Sequence, residues 1–137
     1  MISLIILHDK FSIIQVETDQ PIPSSVFDCD FYSITKTKDE VSIIVNRHID
    51  VPDAKISDGW RGFKVEGILD FSLVGIIYNI VAPLKENNIS VFVTSTYNTD
   101  YLLIKESSFD KSVEILENTG YIKLKKEKQN ESDQTGK

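Results

Sequence analysis

The sequence predicts an α+β fold, a ferredoxin-like β-α-β-β-α-β unit preceded by a shortened, strand-rich half. Three observations carry this. From Gly62 to Leu124, four strand-like runs alternate with two stretches of helical periodicity in that order. Before Gly62 the chain reads as strands, with a single short helical turn among them. The 137 residues, 41 % of them hydrophobic, suffice for one core without a covalent staple, since a chain of this size buries roughly two-thirds of its unfolded surface. The organisation expected is a strand-rich half over residues 1–57, the β-α-β-β-α-β unit over 58–124 and a polar tail over 125–137.

The elements follow in order. Ser3–Leu7 and Phe11–Glu17 read as two strands around "HDK", a short turn candidate. In "DQPIPSSVFDCD", two prolines open the segment and Ser24 can cap one helical turn to about Asp28. "FYSITKTK" and "EVSIIVNR" form a hairpin about Asp39, and Val41, Ile43 and Val45 give the second strand an apolar face. "VPDAKISDGW" reads as a polar connector, and "RGFKVEG" as the next strand.

In the second half, Asp70 is a good N-cap, able to accept from the N–H of Ser72 or Leu73. Leu73, Ile76, Ile77, Ile80, Val81 and Leu84 then recur at helical spacing. Pro83 removes the hydrogen bond to the Asn79 carbonyl and predicts a kink or an early end. Asn87-Asn88 predicts the stop, because Asn tolerates the left-handed backbone that closes helices. "ISVFVTST" reads as a buried strand, "YNTD" as a turn and "YLLIK" as the returning strand. Ser107 or Ser108 caps a second helix, with Val113, Ile115 and Leu116 inward and Gly120 ending it before "YIKL". With right-handed crossovers this order gives a four-stranded antiparallel sheet with two helices on one face.

Composition narrows function. A net charge of −6 argues against a general nucleic-acid binder. Cys29 is the single cysteine, so no internal disulfide forms, and His8 and His48 stand apart from any metal-ligand spacing. We expect no metal, no cofactor and no membrane span, since no apolar run approaches the ~20 residues a bilayer needs. "MISLIILHDK" lacks the leading basic residues of a signal peptide, and a cytoplasmic protein is expected. Glu66 and Asp100 are the carboxylates closest to an acid/base pair, but no nucleophile accompanies them, and an enzyme is not expected.

The stretch from "GWRGFKVEGILDFSLVGIIYNIVAPL" to "STYNTDYLLIKE" resembles small bacterial proteins built of two ACT-type domains. It is also similar to the ACT modules of aspartate kinases and of the animal cytosolic arginine sensor. The resemblance implies a regulatory module that binds a small amino acid where ACT units meet, and a homodimer. Asn98 stands where such members usually carry Asp, and Asn88 where they carry Gly. The candidate ligand-binding residues are Gly67, Ile68, Leu69, Asp70, Phe71 and Ser72, joined by Ser95 and Thr96. Gly67 lets the backbone pass close to a ligand. The amides of Leu69 to Ser72 and the helix dipole suit a carboxylate, by up to ~2 kcal/mol. Asp70 suits an ammonium group, or else caps the helix. The bland alternative is a turn at Gly67 and a cap at Asp70, in an oligomeric interaction protein whose pocket is vestigial.

Overall fold

The computed structural model describes residues 1–66 and 75–128. Its elements are β1 (Ile2–Val16), a 3₁₀ turn (Ser24–Asp28), β2 (Tyr32–Lys36), β3 (Val41–Val45), β4 (Lys55–Val65), α1 (Ile76–Glu86), β5 (Phe92–Ser95), β6 (Asp100–Lys105), α2 (Glu106–Glu117) and β7 (Ile122–Lys126). All seven strands belong to one sheet. The β-α-β-β-α-β order of the second half stands, but its strand pairing differs from the expectation. β7 runs parallel to β1, with Ile2 opposite Ile122 and Ile6 opposite Lys126. β1 lies between β7 and β4, so the sheet is mixed rather than purely antiparallel.

β1 is the element on which both halves are built. One of its edges pairs with β4 along most of its length. The other edge is divided, with β7 on Ile2–Ile6 and β3 on Ser12–Val16. The "HDK" turn is therefore not formed, and β1 runs straight through it with a register shift between Leu7 and Phe11. A bulge leaves backbone groups without ladder partners. Here distant side chains satisfy them: Arg61 Nη2 donates to the Leu7 carbonyl at 3.3 Å, and the His8 amide donates to Glu127 Oε1 at 3.3 Å. Lys10 pairs with Glu106 at 3.0 Å.

The "VPDAKISDGW" connector is also corrected, since Lys55–Trp60 already belongs to β4. Residues 57 and 58 are thus neighbours within one strand. The tail boundary at 125 moves too. Lys125 and Lys126 complete β7, and the Glu127 amide donates to the Ile6 carbonyl at 3.0 Å.

Three apolar clusters fill the molecule. On the helix-covered face Leu4, Phe63, Leu102 and Ile104 pack against Ile80, Leu84, Phe109 and Leu116. On the opposite face Leu7, Phe11, Ile44 and Leu103 form a second cluster. The third, around Ile14, Val26, Ile43 and Val45, lies under the 3₁₀ turn. The period of two in β6 sorts Leu102 and Ile104 to one face and Leu103 to the other.

α1 begins at Ile76, with Gly75 at its N-cap in a left-handed conformation (φ 91°). The expected start near Leu73 and the Asp70 cap are not those of the described helix, and Asp70 itself lies outside the described residues. Pro83 does not end α1, which continues to Glu86. The Asn79 carbonyl that Pro83 cannot serve accepts instead from the Tyr121 hydroxyl at 2.9 Å. Asn88 takes the left-handed backbone expected of a helix stop (φ 60°), as does Gly120 beyond α2 (φ 79°).

The remaining caps and strands differ in detail. The 3₁₀ turn forms with Pro23, not Ser24, at its N-cap. α2 starts at Glu106 with Lys105 at its N-cap, so neither Ser107 nor Ser108 caps it. β5 is an edge strand with Val93 exposed, rather than a buried one. Arg61 lays its guanidinium 4.4 Å from the centre of the Phe109 ring.

Candidate functional site

Gly67, Ile68, Leu69, Asp70, Phe71 and Ser72 lie outside the described residues. Their described neighbours in the chain are Glu66, where β4 has ended, and Gly75, where α1 begins; the β5–β6 turn carries the other two candidates, Ser95 and Thr96. The Glu66 amide donates to the Ser3 carbonyl at 2.9 Å, which ties the end of β4 to β1. The Glu66 carboxylate accepts from Lys125 Nζ at 2.8 Å, and this hydrogen bond holds its carboxyl below the ordinary value.

The turn is fixed to the same place. The Thr99 hydroxyl, buried, donates to the Val65 carbonyl at 2.7 Å. The Thr96 amide donates to the Thr99 carbonyl at 2.8 Å, closing the "YNTD" turn. Ser95 Oγ donates to the Asp100 carboxylate across the β5–β6 pair. The Ser95–Thr96 end of β5 thus lies across β6 from the end of β4, joined to it through Thr99. Both hydroxyls are already used in the turn. Tyr97, at its tip, is fully exposed. Thr99 was not singled out in the sequence, where a threonine in a turn carries no signal of a long-range bond.

Glu66 and Asp100 do not act as a pair: one binds Lys125 and the other Ser95. Cys29 is buried and accepts from Arg47 Nε at 3.3 Å, a partner 18 positions away. His48 is exposed but bonded at both ring nitrogens. Nδ1 lies 3.0 Å from Asp58 Oδ1 and Nε2 2.9 Å from Asp50 Oδ1. Asp58 also accepts from the buried Ser12 hydroxyl. These bonds raise the His48 pKa, the Asp58 bond first, and lower that of Asp58, where the Ser12 bond is the larger cause. The spacing of these residues in sequence forms no motif, so only the fold could join them.

Among the described residues no group of three or more His, Cys, Asp or Glu is placed to hold a metal ion, and no helix is long and apolar enough to cross a membrane.

Comparison with known proteins adds to this geometry. A family model described as ACT domain matches residues 55–118, and a second, described as an N-terminal domain, matches residues 9–52. The chain is 34 % identical over 93 residues to the human protein CASTOR3P, covering 56 % of this chain and 55 % of that one. It is 26 % identical over 89 residues to the human cytosolic arginine sensor for mTORC1 subunit 1, covering 57 % of this chain and 27 % of the sensor. The chain thus spans about half, or about a quarter, of these curated relatives. Among solved structures, protein Atu0741 from Agobacterium tumefaciens superposes with a TM-score of 0.84 at 32 % identity, covering 94 % of this chain and 96 % of that one. The ligand-free regulatory subunit of aspartate kinase from Thermus thermophilus shares the fold, with a TM-score of 0.57 at 10 % identity over 80 % of this chain and 92 % of that one.

Proposed function

We propose, from the ACT-domain model that matches residues 55–118 and the 32 % identity with Atu0741, that this chain is a non-enzymatic regulatory module of the ACT type that binds a free amino acid. The ligand lies against Gly67 to Ser72, with Ser95 and Thr96 on the neighbouring turn. One observation supports this most: the buried Thr99–Val65 hydrogen bond sets the β5–β6 turn against the end of β4. This supports the reading because a turn held in place before a ligand arrives lowers the ordering cost of binding. The amides of Leu69 to Ser72 then receive a carboxylate and Asp70 an ammonium group. That a human relative is named a cytosolic arginine sensor supports a ligand of this class. The module works in the cytoplasm as a homodimer.

The experiment is a thermal-shift screen of the twenty free amino acids at ~10 mM. A ligand present at 100 times its Kd stabilises the native state by about 2.7 kcal/mol. Gly67→Val abolishes the shift by closing the backbone approach. Asp70→Asn keeps the side chain's size but removes its charge, and weakens an ammonium contact by ~1.5–3 kcal/mol. If no amino acid shifts the midpoint, the sensor reading fails and an interaction module takes its place.

A further inference from the structure

The loop of residues 46–54 joins β3 to β4 and covers part of the core beneath the 3₁₀ turn. Ile49 and Val51 are buried in that core at 7 % and 8 % exposure, while His48 and Asp50 beside them are exposed. The loop has no helix or strand to hold it. Its two ends are tied by other residues. Asn46 Oδ1 accepts from the Phe31 amide at 3.2 Å, Arg47 Nε lies on the Cys29 sulfur at 3.3 Å, and the Pro52 carbonyl accepts from Gln20 Nε2 at 3.3 Å. Between these ties, among the described residues, the side-chain bonds are those of the His48 ring.

Those bonds constrain the protonation state of the ring. Nδ1 lies 3.0 and 3.1 Å from the two oxygens of Asp58, and Nε2 lies 2.9 Å from Asp50 Oδ1. An ionised carboxylate only accepts, and a neutral imidazole has one N–H to give. The neutral ring would therefore turn a lone pair on one of the two aspartates. Only the imidazolium donates at both nitrogens. The charged groups around it are Asp50 on its own loop, Asp58 on β4 and Lys105 from β6, whose Nζ donates to the Asp58 carbonyl at 3.3 Å. Arg47, next to His48 in the chain, is turned to Cys29. The two aspartates are not equivalent. Asp58 sits within β4 and also accepts from the buried Ser12 hydroxyl. The Asp50 side chain is 97 % exposed. The single proton of the neutral ring therefore stays on Nδ1, and the Asp50 bond is the one lost.

We propose that His48 is a pH-operated clasp on this core: its imidazolium ties the 46–54 loop to β4 through Asp50 and Asp58, and loss of its proton frees the loop to lift Ile49 and Val51. The clasp is closed below the ordinary histidine value of 6.5. It opens as pH rises through the higher value that the Asp58 bond first, and the Asp50 bond second, give the folded protein. The His48 side chain is 56 % exposed, so its hold is that of a surface pair, and the opening is local rather than global. The clasp stands whether or not the Gly67–Ser72 segment binds a ligand.

Cys29 reports on the opening, because it belongs to the same buried cluster and touches Arg47 at the start of the loop. The test is the rate at which a dithiodipyridine labels Cys29 in the full chain, from about pH 5.5 to about pH 9, in the wild type and in His48→Gln. The ratio of the two rates at each pH cancels the pH dependence of the thiol itself. His48→Gln should label roughly threefold faster than the wild type at the acid end, and the ratio should fall to about one at the alkaline end. Asp50→Asn should speed labelling at the acid end in the same way. It should also lower the His48 pKa read from the ring protons by NMR, which a loss of packing alone would not move. Far-ultraviolet circular dichroism should stay native throughout. A ratio that does not change with pH overturns the clasp, and so does a His48 ring that titrates at or below 6.5. A ring that titrates high while neither variant labels faster than the wild type also overturns it, since the ion pairs then form without holding the loop.

Discussion

The two ends of β1 make an instructive comparison. Its first half, Ile2–Leu7, lies between β7 and β4, with Leu4 in the helix-covered core. Its second half, Phe11–Val16, lies between β3 and β4, and Ile14 and Val16 face a core covered only by the 3₁₀ turn and its flanking loops. One strand thus serves a core with regular helical cover and another with almost none. Ile14 is 1 % exposed and Leu4 fully buried, so the two cores are equally dry. Dryness therefore does not require helices. It requires that the apolar period of the strand meet enough covering chain, whatever that chain's local form.

This comparison is open to breaking, and the largest effect comes from separating the ends. A fragment of residues 58–128 lacks β1, which leaves β7 without its strand neighbour and β4 open along one edge. We expect it not to fold cooperatively, since its sheet loses its central pairing. A fragment with the full chain's unfolding midpoint in urea would show that the second half stands alone.

Core truncations come next. Phe63→Ala on the helix side removes a fully buried ring stacked on Phe109 at 4.9 Å, and should cost ~3–5 kcal/mol. Ile43→Ala on the other side should cost ~2–5 kcal/mol. Both should shift the same single transition, followed by Trp60 fluorescence and by far-ultraviolet circular dichroism. Two transitions in Ile43→Ala would mean that the cores melt separately.

Gly62 sharpens the comparison where the strands cross. A Cβ there would lie 3.0 Å from Leu103 Cδ2 and 3.3 Å from Leu7 Cδ1 and Phe11 Cε1. Gly62→Val should cost ~1–3 kcal/mol by overpacking. Tyr121→Phe removes the hydroxyl that serves the Asn79 carbonyl beneath Pro83, and should cost ~0.5–1.5 kcal/mol in chemical denaturation.

The smallest effect is the pH dependence of the loop side. The His48 pKa is raised by Asp58 and Asp50 from its ordinary 6.5. Its contribution is therefore fully present below that value and lost as pH rises through the higher folded-state one. Asp58 is shifted down from 3.8, so its contribution is present above that value and lost as pH falls through the lower one. The melting temperature of His48→Gln, followed against pH, should lack the alkaline decline of the wild-type protein. An unchanged decline would assign it to another group.

What was legible in the sequence was local. The Asp39 hairpin, the "YNTD" turn, the helix stop at Asn88 and the positive φ at Gly120 each rest on a residue's own backbone preference or on a period of a few residues. The order of elements from Gly62 follows from the same periodicities. The proposed site at Gly67–Ser72 rests on a local motif, whereas the bonds at its flank, Thr99 on Val65 and Lys125 on Glu66, join residues 34 and 59 positions apart.

The tertiary structure decided the rest. "HDK" has the composition of a turn, yet β1 continues through it because Arg61 and Glu127 satisfy the bulge from 54 and 119 positions away. "VPDAKIS" has the composition of a connector, yet Lys55 to Ser57 pair with Ile13 to Gln15. The insertion of β1 between β4 and β7 belongs to the same class. Strand alternation states which face of a strand is buried, but both edges of every strand offer the same amide and carbonyl groups. Nothing local in those edges names a partner, so pairing is settled only when the whole apolar surface is buried at once.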